Sequence, residues 1–363
     1  MKSSAFSVVI PAYNAAETLG ACLESLGRAM PAPAEILVYD DGSTDDTRAI
    51  ARAHGARVLR NDGPNQGPAR GRNIGAEAAS TRTVVFVDAD VAVQPGAPGL
   101  LAARVAREAG VVAAFGAYGA RSPVKNYAGR YANLRHHHTH AEAPGEAMTF
   151  WSGLGAVDRA AFLRAGGFDL SYDRPCIEDV ELGLRLREQG GRILLVPQAQ
   201  GDHLKNWTIR QLWHTDVFVR ALPWSKLMIE GRLGDTLNTG GREKEKSVLA
   251  HGVWASALVA LFVPLVWFAT LGFAAAYLWS NRRLLRLLGR NSRRLAVAGA
   301  ALHWTYHLYA SVAFALVLVG TGLRTQMRQR PRIRRQARRL RRAAQSLKTP
   351  SSARQGLLEG PTR

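Results

Sequence analysis

The feature that most constrains this chain is the run Thr83-Val84-Val85-Phe86-Val87-Asp88-Ala89-Asp90. β-Branched and aromatic residues that stop abruptly at two carboxylates read as a buried strand delivering Asp88 and Asp90 to the carboxyl edge of a sheet. That edge is where open α/β sheets bind ligands. Two acids at i and i+2 repel each other unless a cation sits with them, and hard oxygen ligands suit Mg²⁺ or Mn²⁺ bridging to a phosphate. An Asp-rich turn after a strand would present the same residues, so the flanking sequence has to decide.

Upstream, Phe6 to Ile10 is a short apolar strand ended by Pro11-Ala12-Tyr13-Asn14, with Asn14 as candidate cap of a helix that carries Leu19, Leu23 and Leu26 on one face. Glu35 to Tyr39 reads as a second strand, again ending in acids, Asp40-Asp41-Gly42-Ser43. A helix over 47–53, a strand over 57–60 and a helix over 69–79 lead into the Thr83 run. Alternating strands and helices with short loops imply a mostly parallel sheet. Three strand ends, Pro11–Asn14, Asp40–Ser43 and Asp88–Asp90, should therefore gather on one edge.

Val8-Val9-Ile10-Pro11-Ala12-Tyr13-Asn14, Asp40-Asp41-Gly42-Ser43-Thr44-Asp45, Gly71-Arg72-Asn73-Ile74-Gly75 and Asp88-Ala89-Asp90, in this order and spacing, resemble the family 2 glycosyltransferases of the GT-A fold. The resemblance covers roughly residues 6–225. It implies an α/β class: a Rossmann-like, mostly parallel mixed sheet forming a catalytic domain over 1–230. It also implies a nucleotide sugar as donor, a nucleotide pocket lined by Pro11, Ala12, Tyr13 and Glu17, and Asp41 hydrogen-bonded to base or ribose. Asp88 and Asp90 would hold Mg²⁺ or Mn²⁺ against the diphosphate. Of Asp40 and Asp41, one is expected only to cap the next segment. Arg72 becomes a candidate nucleotide contact, a solvated helix-face Arg being the plain alternative.

The same pattern continues in Trp151-Ser152-Gly153-Leu154-Gly155, where Trp151 and Gly153 would face sugar and acceptor. In Ile177-Glu178-Asp179-Val180, acids at a helix start are common for dipole reasons. The resemblance makes Asp179 the general base, with Glu178 supporting it or touching the acceptor, and His203 after a later strand a ligand to metal or diphosphate. His136-His137-His138-Thr139-His140 lacks a Cys or acid framework and reads as a polar acceptor-side loop rather than a metal site. No Gln-x-x-Arg-Trp motif follows Arg210. That departure argues against a processive polysaccharide synthase and for transfer of a single sugar.

Charge separates the chain into two parts. Of 48 Lys and Arg, 19 lie between Ser280 and Arg363, against the single acid Glu359. Basic residues beside apolar segments favour anionic lipid over nucleic acid, for which no aromatic or fold-level support exists. The 27 residues from Val253 to Trp279 and the 25 from Leu295 to Val319 carry no charge. Both exceed the roughly 20 needed to span a bilayer. The expected organisation is a juxtamembrane linker over 231–252, transmembrane segments over 253–279 and 295–319, a basic loop over 280–294, and a basic tail over 320–363 that is disordered from Thr349. If each segment crosses once, the Arg-rich loop lies outside, opposing the positive-inside tendency, while the tail lies inside. A hairpin bent at Pro264 would keep the loop cytosolic.

The N-terminus enters a strand without a signal-peptide apolar region, and Cys22 and Cys176 fit a reducing compartment; because the nucleotide sugar that the resemblance implies is cytosolic, the catalytic domain is expected in the cytosol beside the inner (cytoplasmic) membrane. The acceptor expected is a membrane lipid or lipid-linked hydroxyl, with polyprenyl phosphate or polysaccharide as alternatives. A non-catalytic nucleotide-binding membrane scaffold is the reading from another class.

Overall fold

The computed structural model describes residues 5–346 apart from 142–143, 173 and 234–240; side chains are described to residue 321. The expected disorder from Thr349 lies outside the described residues. The first half alternates as the sequence implies: β1 (Phe6–Ala12), α1 (Ala16–Gly27), β2 (Glu35–Asp40), α2 (Thr47–Ala53), β3 (Arg57–Arg60), α3 (Pro68–Ala78) and β4 (Thr83–Val87). Then come β5 (Val91–Val93), α4 (Ala97–Arg107), β6 (Val111–Tyr118), α5 (Tyr127–Ala141), β7 (Gly145–Glu146), β8 (Leu154–Asp158), α6 (Arg159–Arg164), α7 (Glu178–Glu188) and β9 (Arg192–His203).

These strands form one sheet in the order β3-β2-β1-β4-β8-β6-β9-β5, with β7 paired to β9. β1 runs parallel to both β2 and β4, so their three carboxyl ends do gather on one edge. β8 enters antiparallel between β4 and β6. A strand covered on both faces needs no polar alternation, and β4 shows this: Val85 and Val87 belong to the core beneath α1 and α4, Val84 and Phe86 to the core beneath α3, α6 and α7. Phe86 meets Phe162 and Phe168 at ring-centre distances of 5.5 and 5.4 Å. α3 lies close on β1 because Gly75 has no side chain; a Cβ there would stand 2.3 Å from Val9.

Asn14 does not cap α1. It takes a left-handed conformation, φ 47°, and its side chain accepts from the Thr44 N–H at 2.9 Å. The first N–H groups of the helix are satisfied instead by Thr47 and Asp45 of the neighbouring loop.

The chain then runs through α8 (Ile209–His214), a π-helical segment (Thr215–Ala221), α9 (Leu222–Ile229), α10 (Gly241–Ala260), a 3₁₀ turn (Pro264–Val266), α11 (Trp267–Ser280), α12 (Arg282–Asn291) and α13 (Arg293–Ser346). Two corrections to the sequence reading arise here. The apolar stretch 253–279 is not one helix: it breaks before Pro264, whose ring and missing N–H end α10. The basic loop 280–294 is itself mostly helix. Among the described residues one segment, Arg293–Thr321, is long and apolar enough to cross a membrane, where two were expected.

The chain divides into two compact units, Met1–Phe314 and Ala315–Arg363. In the second, the helix continues to Ser346, with the Thr321 hydroxyl donating to the Val317 carbonyl at 2.7 Å.

Candidate active site

A cavity of about 1230 Å³ opens over the carboxyl edge of β1, β2 and β4. Thirteen residues given a donor, metal, acceptor or catalytic role from the sequence line it: Pro11, Ala12, Tyr13, Glu17, Asp41, Arg72, Asp88, Asp90, Trp151, Gly153, Glu178, Asp179 and His203. The fold thus brings together residues that are up to 192 positions apart in the chain.

At the nucleotide end, Tyr13 is half-exposed at 49%. Asp40 is fully buried, bonded to the Ser43 N–H and to Arg48, so it is the structural member of the acid pair. Asp41 accepts four hydrogen bonds, from Asn61, Asn65 and the N–H groups of Gln66 and Gly67. An ionised carboxylate offers about four lone-pair positions. Asp41 therefore shapes the loop over the pocket through Oδ2, which takes three of the bonds, while Oδ1 takes one and keeps an acceptor position.

The centre is a cluster of acids around one guanidinium. Arg72, reached from α3, donates to Asp88 at 2.7 Å and Glu178 at 2.9 Å and lies over the Phe168 ring. It is buried, so the solvated-Arg alternative fails, and it acts on the acids rather than standing open to a nucleotide. Its Nε has no partner. Glu178 also accepts from the Cys176 N–H, so it supports the cluster from within. Asp179, at the start of α7, accepts from the Val180 N–H at 2.8 Å and from Ser152 N–H and hydroxyl at 3.2 and 3.4 Å. Burial, reinforced by the charge of Glu178, pushes it up to about 7. A carboxyl that titrates near neutrality is suited to take up a proton there.

Asp90 lies 3.3 Å from His203 Nε2. Asn133 fixes the tautomer: its amide donates to the His203 carbonyl, so its Oδ1 must accept from His203 Nδ1–H at 2.8 Å. A neutral His203 then turns the Nε2 lone pair toward a carboxylate oxygen, two acceptors face to face. That conflict is relieved by a proton on the ring or by a cation beside it. Among the described residues no group of three or more His, Cys, Asp and Glu is assembled as a metal cage. Asp88, Asp90 and His203 supply oxygen and imidazole donors of the kind a divalent cation takes.

Trp151 packs among Tyr118, His136 and His140, ring centres 4.9, 4.4 and 5.4 Å away. Tyr118 in turn stacks on His203 at 4.7 Å. The histidine run is thus no loop: on α5 the i, i+4 spacing puts His136 and His140 on one face. Burial pushes His136 well down and His140 to about 4, keeping both rings neutral. The sequence had missed Asn133, Tyr118 and these histidines as wall residues; the spacing of Tyr127, Tyr131 and Leu134 was the available signal for a helix. Three buried polar atoms lack partners among the described residues, on Arg72, His136 and Trp207, and all three residues line this cavity.

An α/β domain with a strand-end acid pair, a neutral-range carboxyl facing it and a nucleotide-sized cavity is the arrangement of GT-A glycosyltransferases. Residues 7–166 match the family Glycosyl transferase family 2, so that part of the chain is a family 2 glycosyltransferase domain. It is 39% identical over 94 residues to an uncharacterized glycosyltransferase of Escherichia coli (strain K12), covering 24% of this chain and 27% of that one. It is 36% identical over 91 residues to the 4,4'-diaponeurosporenoate glycosyltransferase of Staphylococcus aureus (strain USA300), covering 24% of each. The chain thus spans about a quarter of the length of these two curated relatives. A mannosyltransferase of Pyrobaculum calidifontis, solved with GDP-Man and Mn²⁺, shares the fold over 87% of this chain and 88% of its own, with a TM-score of 0.51 and 18% identity.

Proposed function

We propose that the protein transfers a single sugar from a UDP- or GDP-sugar to a hydroxyl of a membrane lipid or lipid-linked acceptor, with inversion at the anomeric carbon. The observation that carries this reading is Asp179, a half-buried carboxyl that desolvation and the charge of Glu178 push up to about 7 and that Ser152 and Val180 aim into the cavity that also holds Asp88 and Asp90. Asp179 takes the proton of the acceptor hydroxyl as its oxygen attacks the anomeric carbon, and the bond from that carbon to the nucleotide diphosphate breaks. The proton rests on Asp179, and one displacement inverts the centre.

Arg72 keeps Asp88 and Glu178 in place; Glu178 holds the Asp179 proton affinity up. Asp88, Asp90 and His203 would hold Mg²⁺ or Mn²⁺, which when bound neutralises charge on the departing diphosphate. A lipid acceptor is supported by the apolar helices beside the cavity, whose lining continues to His303, Ala310 and Phe314 of α13. The Staphylococcus aureus relative is named a 4,4'-diaponeurosporenoate glycosyltransferase, which agrees with this. The site would then work at a membrane surface with the catalytic domain on the cytosolic side.

Detergent-purified protein, offered a panel of UDP- and GDP-sugars with Mg²⁺ or Mn²⁺, should release nucleotide only when membrane lipid is added. Release that needs no lipid would remove the lipid acceptor. Nucleotide binding with no release under any condition would favour a non-catalytic scaffold.

A further inference from the structure

The stretch 253–279 was long enough to cross a bilayer, and the structure shows why it does something else. α10 and α11 are the arms of an antiparallel hairpin. Thr270 donates to the Ser256 hydroxyl at 3.0 Å across it. Gly252 allows the close approach, since a Cβ there would stand 2.7 Å from the Phe273 ring.

The base of the hairpin is polar and tied to its neighbours. Glu243 meets His307 at 3.2 Å, Tyr277 meets His307 at 2.9 Å, Asn281 meets His303 at 3.1 Å, and Trp304 donates to the Ala250 carbonyl at 3.0 Å. Beyond the second arm the chain returns directly to the catalytic domain. Leu284 and Leu288 of α12 are fully buried with Tyr131 and Leu134 of α5, and Arg130 donates to the Asn291 carbonyl. A single crossing by 253–279 would carry α12 to the far side of a hydrocarbon layer about 30 Å thick, which these contacts forbid.

The tip is the reverse of the base. Phe262, Leu265 and Phe268 are 86, 74 and 74% exposed, and Leu261 and Leu271 are exposed beside them. From the Trp304 anchor at Ala250 to the end of α10 is ten residues, about 15 Å at 1.5 Å per residue, the depth of one leaflet. At the level where the tip meets the base, Trp279 is exposed and carries Arg282 over its ring at 4.6 Å. The outer face of α12 presents Arg286 and Arg290. An apolar tip bounded by an exposed indole and a row of guanidiniums matches acyl chains bounded by anionic headgroups.

We propose that the α10–α11 hairpin inserts into one leaflet of an anionic bilayer and returns on the side it entered, with the arginines of α12 on the lipid phosphates. This holds the mouth of the cavity at the membrane face whether or not the transfer reaction is as described above.

The full-length chain is placed in sealed phosphatidylcholine vesicles containing phosphatidylglycerol. Single cysteines are introduced by Glu24→Cys on the catalytic surface, Arg286→Cys on α12, and Phe262→Cys or Leu265→Cys at the tip. The wild-type chain, with Cys22 buried and Cys176 half-buried, sets the background. With an impermeant maleimide, the fraction labelled from outside should be equal for Glu24→Cys and Arg286→Cys. A fluorophore at either tip position should lose most of its emission to nitroxide-bearing acyl chains.

Complementary labelled fractions would show a crossing between the two sites and overturn the proposal. A tip insensitive to nitroxide lipid in a chain that elutes as a dimer would show that a second copy covers it, and would overturn the proposal equally. Two tip positions guard against one variant that fails to fold.

Discussion

Two arginines, Arg72 buried and Arg135 partly buried, face carboxylates in this molecule, and they are partnered in opposite ways. Arg72 spans two acids, Asp88 and Glu178, while a third, Asp179, stands beside them held only by N–H groups and a serine. Arg135 puts both terminal nitrogens on one acid, Asp216, at 2.8 and 2.6 Å, and Arg220 and the Tyr309 hydroxyl take what remains of it. Burial opposes ionisation in both places. At Asp179 the nearby Glu178 adds to it, whereas at Asp216 the Arg135 charge outweighs it and holds the carboxyl below its usual range. A buried surplus of acid makes sense where a proton or cation is to arrive; a neutralised acid makes sense where a shape is to be kept.

The sharpest way to break that contrast is Asp179→Asn. It should lower kcat by about 10²–10⁴-fold and leave nucleotide diphosphate binding, measured by calorimetry, nearly intact. Turnover that survives would move the base elsewhere.

The matching test of the second cluster is Asp216→Ala, which strands Arg135 without its acid. It should cost about 3–5 kcal/mol of stability, read as a lower unfolding midpoint in detergent. The pair Arg135→Met with Asp216→Leu should recover most of that loss, because it leaves no buried charge unpaired; Arg220, the other charged partner of Asp216, is exposed. A single variant as stable as wild type would mean that this cluster, too, is built for something other than shape.

Chelation of divalent metal, or Asp90→Ala, should weaken nucleotide binding by at least about tenfold; unchanged affinity would remove the cation from the acid-rich cluster.

The smallest effect is in pH. Turnover should fall about tenfold per unit below the Asp179 titration near 7. A carboxyl raised by folding favours the folded state while protonated. That contribution is present in acid and drains away as pH climbs from the ordinary carboxyl range through about 7. Asp179→Asn should therefore gain more in melting temperature over wild type at alkaline pH than at mildly acidic pH. The opposite trend would mean that Asp179 is stabilised as an anion.

Much of the parallel half of the sheet was legible because β1, β2 and β4 are apolar runs that end in acids or Pro. β8 was hidden: Gly153 and Gly155 lie in the Trp151–Gly155 run and made an interior strand look like a loop. α5 was hidden for a related reason, since its apolar positions are diluted by four histidines, three of which, His136, His137 and His140, meet β6 or the Trp151 turn. The acids of the site could be named from their order in the chain, but the use of Arg72 could not. Its two partners lie 16 and 106 residues away, and only the fold decides whether a helix-face arginine looks out or in. At the far end, composition measured the apolar stretch correctly and said little about its path. Pro264 carried that information.

Ser152 donates its N–H to Asp179, and the next residue, Gly153, receives the N–H of Asp88 on its carbonyl. In the proposed reaction, the carboxyl that takes the proton and the acid beside the departing diphosphate are therefore pegged by hydrogen bonds to adjacent residues of one peptide. Their spacing then follows one stretch of backbone, as marks on a single ruler, and a displacement of that stretch would move both together.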